Sequence, residues 1–178
     1  MQPESGLRMW LWSVLIGGDI MAEFTSNPVQ TVQPNQPVVL NTTIGCPKGY
    51  VYHRPESGIV TLRGIVNNPT SCFARYQVTF NGNIAIPDGG TVGPIAIALA
   101  IDGEPIPTSR AIVTPAATAA DPPTTDNFFN VTSTAIVTVP RGCCWNVSVE
   151  NVTEPATPTA PASPILVQNA NMTVQRIA

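Results

Sequence analysis

The chain has 178 residues, of which 43% are hydrophobic and 11% are charged. The length suits one domain that buries its own core, and the hydrophobic content excludes a disordered chain. The net charge is −3 and Lys48 is the single lysine, which argues against nucleic acid as a partner. Because charged residues are rarer than the usual share of about 25%, we expect part of the surface to be hidden in an oligomer.

The first twenty residues differ from the rest of the sequence. They contain an apolar run, but Asp19 occupies the place where a signal peptide has small residues before its cleavage site, so no convincing signal peptide is predicted. Gly17–Met21 can be back-translated as a bacterial ribosome-binding sequence followed by a start codon. We therefore expect a leader or disordered extension over 1–20 and a natural start at Met21. No run of about 18 apolar residues occurs, so no membrane-spanning helix is predicted.

Period-2 alternation of apolar and polar residues predicts short strands from residue 37 onward. The 19 prolines and 13 glycines also favour short strands over helices. Asn81-Gly82 predicts a hairpin turn, because both residues tolerate positive φ. About nine or ten strands at this spacing predict a sandwich or a barrel. The predicted strands are 37–44, 50–53, 58–65, 75–80, 83–87, 94–101, 110–114, 128–139, 143–152 and 166–177.

The domain organisation follows from these segments. An N-terminal arm over 21–36 precedes one domain over 37–178. Two stretches rich in Pro, Thr and Ala, 116–126 and 153–164, lie between strong strands and are predicted to be loop insertions.

The strand over 94–101 is apolar on both faces, so it is expected to be covered on both sides. Its isoleucine and leucine side faces the core, whereas its small, flat side suits the close approach of another chain. The strand over 128–139 is a further candidate for this contact. The alternative is a central strand covered by a loop of the same chain. The predicted interface residues are Ala96, Ala98, Ala100 and Ile136.

Five segments occur in order: GIVTLRGI, YQVTFNGNIAIP, GPIAIALAIDGEPI, NVTSTAIVTVPRGCCWNVSVEN and VQNANMTV. Over residues 31–178 they resemble small proteins of Gram-positive anaerobes and their prophages. The strand plan is similar to trimeric jelly rolls of the tumour-necrosis-factor and complement-head type, which also form the heads of collagen-like spore glycoproteins. The resemblance implies an all-β, antiparallel jelly-roll sandwich and a homotrimer. The 178 residues contain no collagen-like Gly-X-Y repeat, which argues against a stalked role on spores.

Residues suited to catalysis are few. His53 is the single histidine, so any triad would have to use it, and the acidic residues are scattered. No enzymatic activity, metal site or cofactor is predicted. Cys46 and Cys72 each border a loop, and we expect them to lie close enough for a disulfide. The alternative is that all four thiols are reduced, which is the default for a chain without a signal peptide. Cys143 and Cys144 are adjacent and should point to opposite faces of a strand, with Cys143 inward.

The sequence thus predicts a non-enzymatic structural or decoration protein that assembles as a homotrimer on a virion, a spore or a cell surface. Its further partners would be capsid proteins, surface-layer proteins or glycans. The alternative is a module that binds glycans or a host surface through exposed aromatic residues in its loops. The candidate ligand loop for that alternative contains Tyr50, Tyr52 and His53.

Overall fold

The computed structural model describes residues 21–45, 49–115, 128–155 and 157–178. These residues form twelve β-strands and one 3-10 turn, and none of them forms a helix that is long and apolar enough to cross a membrane. The predicted leader over 1–20 and the whole predicted insertion over 116–126 lie outside the described residues. The strands are β1 (Met21–Ser26), β2 (Gln30–Val32), β3 (Thr42–Ile44), β4 (Val51–His53), β5 (Val60–Arg63), β6 (Phe73–Ala85), β7 (Ile95–Ile101), β8 (Glu104–Pro105), β9 (Ala111–Val113), β10 (Phe129–Pro140), β11 (Cys144–Asn151) and β12 (Ile165–Arg176).

The strands form two antiparallel sheets. The front sheet has the order β10-β6-β12-β1-β3, and β2 also pairs with β12. The back sheet has the order β4-β5-β11-β7-β8, and β9 also pairs with β7. Every paired strand described is antiparallel. The arrangement confirms the predicted antiparallel sandwich, with twelve strands rather than nine or ten.

The core lies between the two sheets and is filled by alternate residues of each strand. Phe24, Tyr76, Phe80, Leu62 and Met172 are among its fully buried side chains. Burial of each large apolar side chain contributes about 1.5–3 kcal/mol, so this layer supplies most of the stabilisation. The alternation recognised in the sequence is therefore the pattern that divides each strand between core and surface.

Residues 21–36 belong to the sandwich and do not form an arm in front of it. The strand β1 pairs with β12 over its whole length, from Met21 opposite Gln175 to Ser26 opposite Ala170. Phe24 is completely buried. The alternation within β1 is a weak sequence pattern, because its other two buried residues are the small Ala22 and the small, polar Ser26.

The predicted hairpin at Asn81-Gly82 does not form, because β6 runs straight through it. Asn81 and Gly82 are paired with Thr132 and Val131 of β10. A Cβ on Gly82 would lie 2.8 Å from Cζ of the Phe80 ring and 3.6 Å from Cα of Ala170. The glycine therefore allows a close approach within the sheet and does not mark a turn.

A bulge in β12 changes which side chains of this strand face the core, whereas strict alternation would put Leu166 on the same face as Met172. The pairing of β12 with β6 shifts register between Gln168 and Asn171, and Asn169 has a φ of +52°. Before the bulge Val167 is buried and Leu166 is only half-buried, so Leu166 does not share the inward face of Met172. An extra residue in a strand moves the following side chains to the other face, and sequence alternation alone does not reveal it.

Candidate functional site

The alanine side of β7 is buried within the single chain. Ala96, Ala98 and Ala100 are 1%, 1% and 0% exposed. Their neighbours on β11, Ser148 opposite Ala100 and Glu150 opposite Ala98, are buried as well. The structure thus agrees with the alternative prediction for this strand, a central strand that is covered by loops of its own chain. The three alanines offer almost no surface to a partner.

The cover over this side consists of two loops that leave a cavity of about 560 Å³ above Ala98. Pro105, Ile106 and Pro107 form one wall, and the residues that follow β11 form the other. An ion pair between Arg110 Nη1 and Glu154 Oε1, 2.6 Å apart, joins the two loops. The walls are largely apolar, and their two charged side chains, Arg110 and Glu154, are paired with each other.

The outer face of the front sheet is formed by the alternate, outward-facing residues of its long strands. We call its central part the polar face, because eleven of its twelve residues have uncharged hydroxyl or amide side chains. Its charged neighbours on the sheet, Arg75 and Glu23, lie at its borders. The polar face consists of Gln77, Thr79, Asn81, Asn83, Asn130, Thr132, Thr134, Ile136, Thr138, Asn171, Thr173 and Gln175.

Hydrogen bonds across the strands order these side chains. The Asn81 Nδ2 atom donates to Thr132 Oγ1 at 2.8 Å, and Asn130 Nδ2 donates to Asn83 Oδ1 at 3.0 Å. Ile136 interrupts this polar pattern and is 63% exposed. It lies in one row with Gln77 and Gln175 of the neighbouring strands. An exposed isoleucine on an otherwise polar face has no role in the core of its own chain.

The structure separates the three residues of the predicted ligand loop. His53 is buried against the Phe24 ring, and its Nε2 donates to the Ser57 carbonyl at 3.0 Å. Its Nδ1 bonds Thr43 Oγ1 at 3.0 Å. Tyr50 is stacked under the Arg176 guanidinium, which lies 4.3 Å from the ring centre. Both side chains are therefore occupied within the domain, and His53 has a structural position rather than a catalytic one.

Tyr52 alone of the three points to solvent, with 55% of its surface exposed. It lines an open cleft of about 550 Å³ on the outer side of the back sheet, which we call the Tyr52 cleft. The sequence did not single out its other lining residues, although the turn composition of 54–57 was a signal for a surface loop. The cleft is lined by Tyr52, Arg54, Pro55, Glu56, Ser57, Ile59 and Thr61.

The cysteines differ in part from the prediction. Cys72, Cys143 and Cys144 are exposed, so Cys143 does not point inward as expected. Cys46 lies outside the described residues, and its bridge to Cys72 stays a prediction. Within the described ranges, no group of three His, Cys, Asp or Glu side chains is placed to hold a metal ion.

Tyr76 is the titratable residue with a clear pKa shift, and it lies in the core. Burial raises the pKa of its phenol, and the nearby Arg176 opposes part of that rise. Its hydroxyl donates to the Arg63 carbonyl at 2.5 Å, which links β6 to β5 across the sandwich. The shift therefore reflects a structural hydrogen bond in the core and not a site open to a substrate.

No protein-family model matches the chain, and no curated protein matches it at a significant level. Solved structures do match in fold. The globular domain of the zebrafish complement 1qA protein is similar with a TM-score of 0.52 and 12% identity, over 90% of this chain and 98% of that one. The Eiger tumour necrosis factor of S. frugiperda is similar with a TM-score of 0.50 and 16% identity, over 90% of this chain and 93% of that one. The chain therefore has a jelly-roll fold of the tumour-necrosis-factor and complement-head type.

Proposed function

We propose that this chain is a non-enzymatic structural protein that assembles as a homotrimer through the polar face of its front sheet. The observation that carries the proposal is Ile136, an exposed isoleucine at 63% in a face of ordered, uncharged side chains. Charged residues are depleted at the centres of protein interfaces, as they are here. Of the predicted interface residues, Ile136 stays part of the proposed contact. The alanine side of β7 does not, because its own chain buries it.

The size of the polar face supports this role. The three long strands β6, β10 and β12 have 13, 12 and 12 residues. At about 3.3 Å per residue and about 4.8 Å between strands, the three strands present roughly 590 Å² in projection. The strand β1 and the corrugation of the surface add to this area. A standard interface buries about 800 Å² on each partner, so the outer face of the front sheet approaches the area of a stable contact.

Hydrogen bonds already fix several side chains of the polar face, which lowers the entropic cost of assembly. Thr79 and Thr134 bond each other through their Oγ1 atoms at 3.1 Å, in addition to the amide bonds around Asn81 and Asn130. Side chains that are already fixed lose little rotamer entropy on association. The fold resemblance implies threefold assembly, which sets the expected number of subunits at three.

The substitution Ile136→Arg tests the proposal. A guanidinium at the centre of the contact is expected to cost about 2 kcal/mol or more at each interface. Size-exclusion chromatography with light scattering should give three times the 18.8 kDa chain mass for the wild type and a single chain mass for the variant.

Ile112→Arg is the matched control, because Ile112 is 57% exposed on β9 of the back sheet. It should remain a trimer. A monomeric wild type would contradict the proposal, and so would an Ile136→Arg protein that keeps its trimeric mass. Circular dichroism of both variants separates loss of assembly from loss of folding.

For location, we propose display on a virion, a spore or a cell surface of a Gram-positive bacterium or its prophage, as the sequence resemblance implies. Peptide mass spectrometry of purified virions, purified spores and washed cell-surface fractions would test it. Enrichment in one of these fractions over the cytosol is the expected result. A chain found in the cytosol alone would contradict it.

A further inference from the structure

The Tyr52 cleft combines an exposed aromatic ring with charged side chains, and it has no role in the proposed assembly. We propose that it binds a neutral pyranose unit of a glycan, with the sugar ring packed on Tyr52 and its hydroxyl groups bonded by Arg54 and Glu56. The proposal goes beyond self-assembly, because the cleft lies on the outer side of the back sheet, away from the polar face.

The aromatic ring supplies the platform. Tyr52 is 55% exposed, and Ile59 beside it in the cleft is 45% exposed. A pyranose has an apolar face of C–H groups that can pack on a flat ring, while its hydroxyl groups stay wet. An amphipathic aromatic side chain at a partly wet site suits such a ligand.

The platform is held rigidly by its neighbours. Val51 and His53, on either side of Tyr52, are both buried in the core. Across the strand pair, Tyr52 lies opposite Thr61 of β5. Because its strand is anchored from below, the backbone of Tyr52 loses little freedom when a ligand binds.

The polar groups supply the hydrogen bonds. Arg54 donates and Glu56 accepts, and neither takes part in an ion pair among the residues that the structure describes. A sugar hydroxyl group both donates and accepts, so it can use both partners. The two side chains have opposite charges, so a charged sugar that is attracted by one of them is repelled by the other. This balance favours a neutral ligand.

The turn that carries these groups is well defined. Ser57 N–H donates to the Arg54 carbonyl at 3.2 Å, and the Ser57 carbonyl accepts from His53 Nε2. Glu56 has a φ of +59°, a conformation that glycine would adopt at lower energy. The backbone is therefore strained at Glu56, the residue whose carboxylate lines the cleft.

Saturation-transfer NMR with single sugars tests the site on the whole chain. The probes are the methyl glycosides of glucose, galactose, mannose and N-acetylglucosamine, with methyl glucuronide as the charged comparison. At least one neutral glycoside should bind with a dissociation constant of about 1 mM, as expected for a ligand of this size. Tyr52→Ala should weaken binding about tenfold, the effect of losing one good packing contact.

Tyr52→Phe and Ile112→Ala are the controls. The first keeps the ring and should keep most of the affinity, and the second removes an exposed apolar side chain elsewhere on the back sheet. The proposal is overturned if no neutral glycoside binds, if Tyr52→Ala binds as the wild type does, or if the glucuronide binds better than every neutral sugar. None of these outcomes depends on the number of subunits.

The same site gives a prediction that does rest on the proposed trimer. Three clefts on one particle would bind a glycan-coated surface about 10²–10⁴ times more strongly than one cleft, through effective concentration alone. Ile136→Arg should therefore weaken retention on immobilised glycan and leave the affinity for the soluble methyl glycoside unchanged. Unchanged retention of a monomeric Ile136→Arg variant would contradict multivalent binding. Binding of a sugar to the single cleft is decided by the NMR experiment above.

Discussion

Removal of one hydroxyl group from the core should measurably destabilise the domain. Tyr76 is fully buried, and its hydroxyl donates to the Arg63 carbonyl at 2.5 Å, while the Tyr50 carbonyl lies 3.4 Å away. The substitution Tyr76→Phe keeps the ring and its packing but removes the donor. Loss of a buried hydrogen bond that leaves its acceptor without that donor costs about 1–2 kcal/mol.

The assay is urea unfolding followed by circular dichroism at pH 7. With a slope of about 2 kcal/mol per molar urea, the midpoint should fall by about 0.5–1 M. Tyr52→Phe is the control, because Tyr52 is exposed and has no hydroxyl contact in the core, so its midpoint should not change measurably. Equal midpoints for Tyr76→Phe and the wild type would refute the structural role assigned to this hydroxyl.

The pH dependence gives a second test of the same group. Burial raises the pKa of Tyr76 above its ordinary value of 10.0 in the folded protein. The unfolded chain therefore loses this proton first, and its contribution to stability is present below about pH 10 and decreases as pH rises above that value. The difference in stability between the wild type and Tyr76→Phe should thus narrow above pH 10. A constant difference up to pH 11.5 or so would contradict the raised pKa.

Two further predictions follow from other contacts. Ser109→Ala should lower stability by about 1–2 kcal/mol in the same urea assay, because Ser109 Oγ accepts from the buried Leu99 N–H at 2.9 Å and its removal takes away that acceptor. A variant as stable as the wild type would show that this bond contributes nothing. In the folded protein a maleimide should modify the exposed Cys143 and Cys144 without a reductant, as counted by intact mass. The predicted bridge to Cys46 should keep Cys72 unmodified until a reductant is added, and a Cys72 that reacts at once would contradict that bridge.

The fold class was predictable because period-2 alternation is directly visible wherever one face of a strand is buried. It placed β5, β7, β10 and β11 within a few residues of their bounds. It failed where other forces decide the backbone. Asn81-Gly82 has the composition of a turn, but pairing with β10 on one side and β12 on the other holds it extended. The alternation of β1 depends on Phe24 between two small residues, which is too weak a pattern to recognise.

The candidate sites were less predictable, because they depend on which loops cover which faces. The alanine side of β7 looks free in sequence, yet residues 105–107 and 152–155 are folded over it. Tyr50, Tyr52 and His53 are close in sequence and differ completely in surroundings. The alternation along β4 is visible in the sequence and places Tyr52 and His53 on opposite faces. The stacking of Arg176 on Tyr50 is not visible there, because it joins residues far apart in the chain.

The position of β12 in the front sheet has a consequence for biosynthesis. This strand is the last one in sequence, but it lies between β6 and β1, so it joins the earliest strand of the sheet to the strands made midway. While the ribosome is still making β11, the front sheet consists of two separate strand pairs, β10-β6 and β1-β3, and β2 has no strand to pair with. Phe24 and Phe80 then lack the strand that completes their apolar layer. Folding of the sandwich must therefore wait until β12 has emerged, and chains stalled before that point should be a target for chaperones.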